Sequence, residues 1–327
     1  MKAIAANRLD GFDAYGFVEV PVPTLGEFAL RIEVHAVGIG YVDALIARGG
    51  YQVKPSLPHI PGVEVAGTIS AVGSAVKGWV VGDRAVAMTS AGLAEQAVAP
   101  ADACRRIPPG VGFAEAAALP LNHLTALHGL VDRGRLQPGE TLLVFGAAGG
   151  VGQAAVAVGK RLGATVIAAA SSQLKRDFAV ALGADEVIDT DPEGWRDRLR
   201  AALGGRPLDV VFDPVAGPLF QPAFRSLGWG GRHLIVGFVG GPIPALPANL
   251  PLMKGAALVG VDVRQFQQFE PQAAAAYLDR LFAWLADGSL PAPNVQLRSW
   301  ADASAALAEA DSGQTIGKLV IVSDPSL

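Results

Sequence analysis

A chain of 327 residues, 51% apolar and only 17% charged, has length for about two domains and ample core for each. Its net charge of −4, with no basic run longer than Arg105-Arg106 and Lys160-Arg161, excludes an electrostatic surface for nucleic acid. Cys104 is the only cysteine, which excludes an internal disulfide and a multi-cysteine zinc site, and the most apolar window, 142–158, is too interrupted by glycines and Gln153 to span a membrane.

The first residues, Met1-Lys2-Ala3-Ile4 followed by Asn7, Arg8 and Asp10, lack the apolar core of a signal peptide, so a cytoplasmic protein is expected. Up to about residue 112 the chain carries short strands and turn signals. Phe28, Leu30, Ile32 and Val34 interleave with Ala29, Arg31, Glu33 and His35, the period-two pattern of a half-buried strand. Further strands are predicted at 63–72, 84–88 and 96–99, and a short helix over 43–48 stops at Gly49-Gly50. From Phe113 an alanine- and leucine-rich helical stretch runs to Val131 with a break near Leu119-Pro120, where a domain boundary is expected.

The apolar run Thr141 to Phe145 predicts a strand buried on both faces, and the small residues after it force a tight turn into a helix carrying Val151, Ala155, Val158 and Leu162 on one face, with Gly163 just beyond. Such a strand–turn–helix presents free N–H groups and a helix dipole to a pyrophosphate. Gly149 allows close backbone approach and Gly152 lets helix pack on strand, while Ala147 replaces the first glycine of the usual G-x-G-x-x-G. Strands near 165–170, 186–189, 209–213, 232–237 and 257–262 then alternate with helices, one of them begun by Asp191-Pro192. With the first strand this makes six, and regular alternation requires a parallel, doubly wound sheet. A helix over 273–286 is followed by a final strand ending near Val322 that is expected to return to the first domain. The apolar segment Ala257 to Val263 would be the sheet's last strand, open to pairing in a homodimer unless covered by the chain around Gln265 to Phe269.

Taken together, Gly50-Tyr51, Leu57-Pro58-His59-Ile60-Pro61-Gly62-Val63-Glu64-Val65-Ala66-Gly67, Ala71-Val72-Gly73, Gly82-Asp83-Arg84, the 147–152 glycine turn, Asp213-Pro214-Val215-Ala216-Gly217, Gly230-Gly231-Arg232 and Val236-Gly237-Phe238 resemble the zinc-independent quinone oxidoreductases related to zeta-crystallin, in the medium-chain dehydrogenase/reductase superfamily. The resemblance covers essentially the whole chain. It implies an α/β protein with a GroES-like β-rich catalytic domain (1–118 and 265–327) around a Rossmann domain (119–264), commonly dimeric. Zinc-dependent relatives carry a cysteine near Gly40-Tyr41 and a histidine at Val63; neither ligand is present, so no metal site is expected. The resemblance places Tyr51 at the substrate and nicotinamide pocket, where a phenol could orient a carbonyl or donate a proton. Asp43 matches a family aspartate, to be read equally as catalytic group or structural cap. Thr125 and His128 fall on the helix beside the cofactor, and Gly237, Phe238 and Val239 join Ala148, Gly149, Gly150, Val151 and Gly152 as cofactor-binding positions. Gly40 replaces an asparagine common near the nicotinamide.

An NAD-specific Rossmann domain ends its second strand with an acid, but here the strand ends at Ser171-Ser172, with Lys175 and Arg176 one turn into the next helix. Missing acid and gained base agree with NADPH, and Ser-x-x-Lys is the family's arrangement for a 2′-phosphate. The expected function is hydride transfer from NADPH to a quinone or similar conjugated carbonyl. An enoyl-thioester or 2-alkenal reductase, and a non-catalytic NADPH-binding protein, remain open.

Overall fold

The structure is a computed structural model that describes residues 1–323. These residues form two compact units: Met1–Leu121 with Leu278–Asp287 and the chain from Ala292 onward, and Asn122–Tyr277 with Gly288–Pro291.

In the first unit, β1 (Lys2–Ala5) and β2 (Gly16–Glu19) form an antiparallel pair. The long strand β3 (Ala29–Ile39) leads into the short helix α1 (Tyr41–Ala47). It pairs with β4 (Glu64–Val72), which carries β5 (Arg84–Met88), and with β6 (Gln96–Pro100); β7 (Arg105–Arg106) pairs with β5. Alternation works as expected along β3, where Leu30, Ile32 and Val34 are buried with Ile39, Ile69 and Leu93. Phe28 departs from the pattern at 71% exposure: Gly26 accepts the N–H of Ala29, closing a turn that keeps Phe28 out of the strand. Helices α2 (Phe113–Ala118) and α3 (Pro120–His128) meet at Leu119-Pro120, where proline cannot continue one helix yet suits the first position of the next.

The second unit opens its sheet with β8 (Thr141–Phe145), whose five residues are all buried. There follow α4 (Gly150–Arg161), β9 (Thr165–Ala169), α5 (Gln173–Ala181), β10 (Glu186–Ile188), α6 (Trp195–Leu203), β11 (Val210–Asp213), α7 (Phe220–Ser226), β12 (Arg232–Ile235), α8 (Asn249–Lys254), β13 (Ala257–Gly260), α9 (Val263–Phe269) and α10 (Pro271–Ala286). The six strands lie in the order β10-β9-β8-β11-β12-β13, all parallel, which is the doubly wound Rossmann arrangement. Asp191-Pro192 does not start α6. Asp191 accepts the N–H of Glu193 instead, and Gly194, left-handed at φ 65°, redirects the chain into the helix three residues later than expected. The segment 265–277, expected in the first unit, belongs to the second: the Phe266 ring stacks on His128 at 4.0 Å, and Tyr277 donates to Asp132 at 2.7 Å.

The chain ends with β14 (Val295–Ser299), α11 (Ala303–Asp311) and β15 (Lys318–Val322). β15 runs antiparallel to β3 and parallel to β14, so the tail returns to the first unit as an interior strand.

Candidate active site

In the Rossmann unit the chain leaves β8 through Gly146, left-handed at φ 58°, and enters α4 at Gly150. Gly149 occupies the N-cap and supplies no side-chain cap. The N–H groups of Gly150, Val151 and Gly152 therefore meet no acceptor among the described residues. With the helix dipole they make an anion site suited to a pyrophosphate. A Cβ on Gly152 would lie 2.0 Å from the Gly146 carbonyl oxygen, so only glycine permits this approach. Ala148 is buried inside the turn. Asn122, which sequence reasoning missed, reaches the same place: its Nδ2 would be 2.8 Å from a Cβ on Gly150 and is buried without a partner. A donor orphaned beside open backbone N–H groups is one that a ligand oxygen would satisfy.

Two more turns stand at neighbouring strand ends. Val215 approaches Gly146, and the 236–240 loop packs on Pro214 and Val215 through the N–H groups of Val239 and Gly240. Gly237, Phe238 and Val239 thus belong to the same strand-end region as the glycine turn, where doubly wound sheets bind ligands. The region rests on a buried pair that sequence reasoning also missed. Asp213 Oδ1 accepts the N–H groups of Val215 and Ala216, and its Oδ2 lies 2.9 Å from His233 Nε2.

Beyond β9, Ser171 and Ser172 are exposed, and Ser172 Oγ caps α5 by accepting the Lys175 N–H at 3.3 Å. Arg176 is committed to the Ala170 carbonyl and to Gln173, each at 3.0 Å. Lys175 is half-buried, and that burial holds its pKa below the ordinary lysine value, a cost that a bound anion would offset. Thr125 and His128 are both buried on α3; His128 Nδ1 donates to Asp132 at 2.8 Å, which fixes the ring against Phe266.

In the first unit, Asp43 behaves as a cap: Oδ2 accepts the Gly40 N–H at 2.9 Å and Oδ1 the Gly62 N–H at 3.1 Å. Its burial raises its pKa, partly opposed by Lys318. Tyr51 follows the other end of α1, about 10 Å of helix away, with its N–H on the Leu45 carbonyl and its partly exposed phenol without a hydrogen bond among the described residues. Below α1 lies a cluster that sequence reasoning did not find. Glu64 is fully buried; its Oε1 accepts the Leu121 N–H at 2.8 Å and its Oε2 accepts Lys318 Nζ at 2.6 Å.

The 51–62 segment is anchored by His59, which exchanges main-chain bonds with Ala6 and accepts the Tyr15 hydroxyl at Nδ1, 2.7 Å away. Burial lowers the pKa of His59 and pushes that of Tyr15 up to about 12. Both shifts favour the neutral forms in the folded protein. Stability should therefore be full between about pH 6.5 and 10, fall in acid as the unfolded histidine binds its proton, and fall in base above about pH 10 as the unfolded tyrosine ionises. Melting temperature against pH checks this: His59→Gln should flatten the acid limb, and an unchanged acid limb would show that His59 does not set it.

No group of three His, Cys, Asp or Glu side chains stands close enough to hold a metal ion among the described residues. No described helix is long and apolar enough to cross a membrane.

Residues 26–129 match the alcohol dehydrogenase GroES-like domain family, and residues 150–279 match the family described as zinc-binding dehydrogenase. The quinone oxidoreductase-like protein 2 homolog of Nematostella vectensis is 34% identical over 83% of this chain and 75% of its own length. The mouse quinone oxidoreductase-like protein 2 is 37% identical over 76% of this chain and 72% of its own. The chain belongs to the quinone oxidoreductase family of the medium-chain dehydrogenase/reductase superfamily. Two solved structures extend the likeness to the whole quinone oxidoreductase fold. Escherichia coli quinone oxidoreductase complexed with NADPH is 27% identical with a TM-score of 0.88, covering 98% of this chain and 100% of that one. CurK enoyl reductase is 26% identical with a TM-score of 0.89, covering 98% of each. In this family member the first unit is the GroES-like domain and the second the Rossmann domain.

Proposed function

We propose that this oxidoreductase uses NADPH to reduce quinones or similar electron-poor conjugated carbonyls, without zinc, in the cytoplasm. The observation that carries the reading is the glycine turn with its three open N–H groups, next to a strand end that offers Lys175 and no carboxylate. When bound, NADPH supplies a hydride from its nicotinamide C4. Gly149 to Gly152, with Ala148 beneath, hold the pyrophosphate, and Ser171, Ser172 and Lys175 hold the 2′-phosphate. Thr125, His128, Gly237, Phe238 and Val239 shape the nicotinamide side. Tyr51 orients the acceptor's carbonyl or donates the proton that completes reduction, while Asp43 holds α1 in place. The likeness to an enoyl reductase supports a second reading, reduction of an enoyl thioester or alkenal at its conjugated double bond.

The test is NADPH oxidation with 1,4-naphthoquinone, 2-cyclohexenone and a crotonyl thioester, before and after chelator treatment. Quinone turnover that survives chelation supports the reading. Turnover of the thioester alone favours the second, activity that follows retained zinc overturns zinc independence, and cofactor binding without any turnover makes this a binding protein.

Lys175→Ala should raise the KM for NADPH about tenfold or more and leave NADH almost unchanged, since one charged phosphate contact contributes about 1.5–3 kcal/mol. Equal losses with both cofactors would show that Lys175 does not read the phosphate.

We also propose a homodimer joined through β13. The strand ends the sheet, is largely exposed, and is accompanied by exposed Trp229, Leu252 and Met253, with the Trp229 ring over Gly255. An apolar edge of this kind pairs readily. Light scattering at micromolar concentration should return twice the chain mass, and Leu258→Lys should halve it; a monomer in the unmodified protein would end the proposal.

A further inference from the structure

Lys318 is only 3% exposed, yet its ammonium makes a single hydrogen bond among the described residues, the one to Glu64. Both Glu64 oxygens are occupied, by Lys318 and by the Leu121 N–H, and both Asp43 oxygens by the N–H groups of Gly40 and Gly62. Two of the ammonium's three donors are therefore left over. They lie under Gly40, which is itself partly open to solvent. An atom in the Cβ position of Gly40 would sit 3.2 Å from Lys318 Nζ and 3.9 Å from Asp43 Oδ2, with no other heavy atom within 4 Å. Glycine is not required here by the backbone, because φ is −138° and ψ −178°, extended values open to any residue. What the missing side chain does is leave a notch whose floor is a buried cation.

The charges around the notch decide what fits it. Glu64 already neutralises the one ammonium, so the notch offers no net positive charge to hold a full anion, whereas an oxygen acceptor meets the free N–H groups. We propose that Lys318 is a substrate-binding residue that hydrogen-bonds the acceptor's carbonyl oxygen in the notch over Gly40. This rests on the reading of the substrate as a conjugated carbonyl. Electron density builds on that oxygen as the conjugated carbonyl is reduced, and N–H donors already fixed in place bond it most strongly at that moment.

The test uses full-length protein saturated with NADPH. Gly40→Val fills the notch; Lys318→Met with Glu64→Gln removes the donor without leaving a buried carboxylate unpaired. Gly40→Val should raise the KM for 1,4-naphthoquinone and 2-cyclohexenone about tenfold, and the double variant should lower kcat/KM about a hundredfold. Gly40→Val should still melt in one cooperative transition, with NADPH affinity as in the parent. Binding of acetophenone, followed by saturation-transfer NMR, should be lost in both variants. Unchanged kcat/KM or unchanged acetophenone binding in a folded variant overturns the inference, and Gly40→Val decides it alone if the double variant does not fold. Acetophenone binding that depends on Gly40 and Lys318 in a protein with no quinone or enone turnover would uphold the notch and sink the proposed substrate. A parent protein that neither binds acetophenone nor turns over would overturn both.

Discussion

Glu64→Ala should destabilise the GroES-like unit by about 3–5 kcal/mol, the usual loss when one partner of a buried ion pair is removed. Glu64 and Lys318 are 0% and 3% exposed at their side chains, so water does not replace what is lost. The Leu121 N–H loses its acceptor in the same substitution. Urea denaturation followed by far-ultraviolet circular dichroism measures the effect. The Lys318→Met, Glu64→Gln pair should recover most of the loss, because two neutral groups of similar shape leave no charge stranded. A Glu64→Ala midpoint within about 1 kcal/mol of the parent, the value for an exposed pair, would mean that the ion pair is not buried in solution.

Gly152→Ala should abolish NADPH binding, with Kd raised at least about a hundredfold, and lower stability by about 2–3 kcal/mol. The added carbon would sit 2.0 Å from the Gly146 oxygen and 2.7 Å from its carbonyl carbon, both main-chain atoms with no rotamer to yield. Either the turn moves or the first turn of α4 does, and each displaces the three N–H groups that face the ligand. Gly16→Ala is the control, since nothing lies within 4 Å of its Cβ position. Calorimetric titration with NADPH reads the first effect and thermal melting the second; a variant that binds normally would show that the close approach is not needed.

Much of the fold was legible because its signals are local. The run Thr141 to Phe145 is apolar without interruption because both faces of β8 are covered, and the glycines after it announce the turn by their own chemistry. The start of α5 was equally legible, since a serine before a helical pattern is ordinarily its cap. Contacts that join distant segments left no such trace. Lys318 and Glu64 are 254 residues apart and lie in strands whose apolar neighbours advertise only burial. Asp213 stood inside a recognised motif, yet its partnership with His233 depends on the parallel register of β11 and β12. Asn122 was passed over because a lone asparagine in a helix has no pattern; only its closeness to Gly150 gives it meaning. Phe28 and Asp191 were misread for the opposite reason, as each fits a local rule that a neighbouring turn overrides.

The interior position of β15 also bears on the order in which the molecule is assembled. Ile39 and Leu319 are paired neighbours in one sheet but roughly 280 residues apart along the chain, a closure that costs about 5 kcal/mol of chain entropy before any contact offsets it. The Rossmann strands, in contrast, all come from one continuous stretch and need no help from either terminus. On a ribosome the nucleotide-binding half is therefore complete while the other half still lacks an interior strand, and Glu64 has to wait for the 254 residues that follow it to be made before it meets its cation.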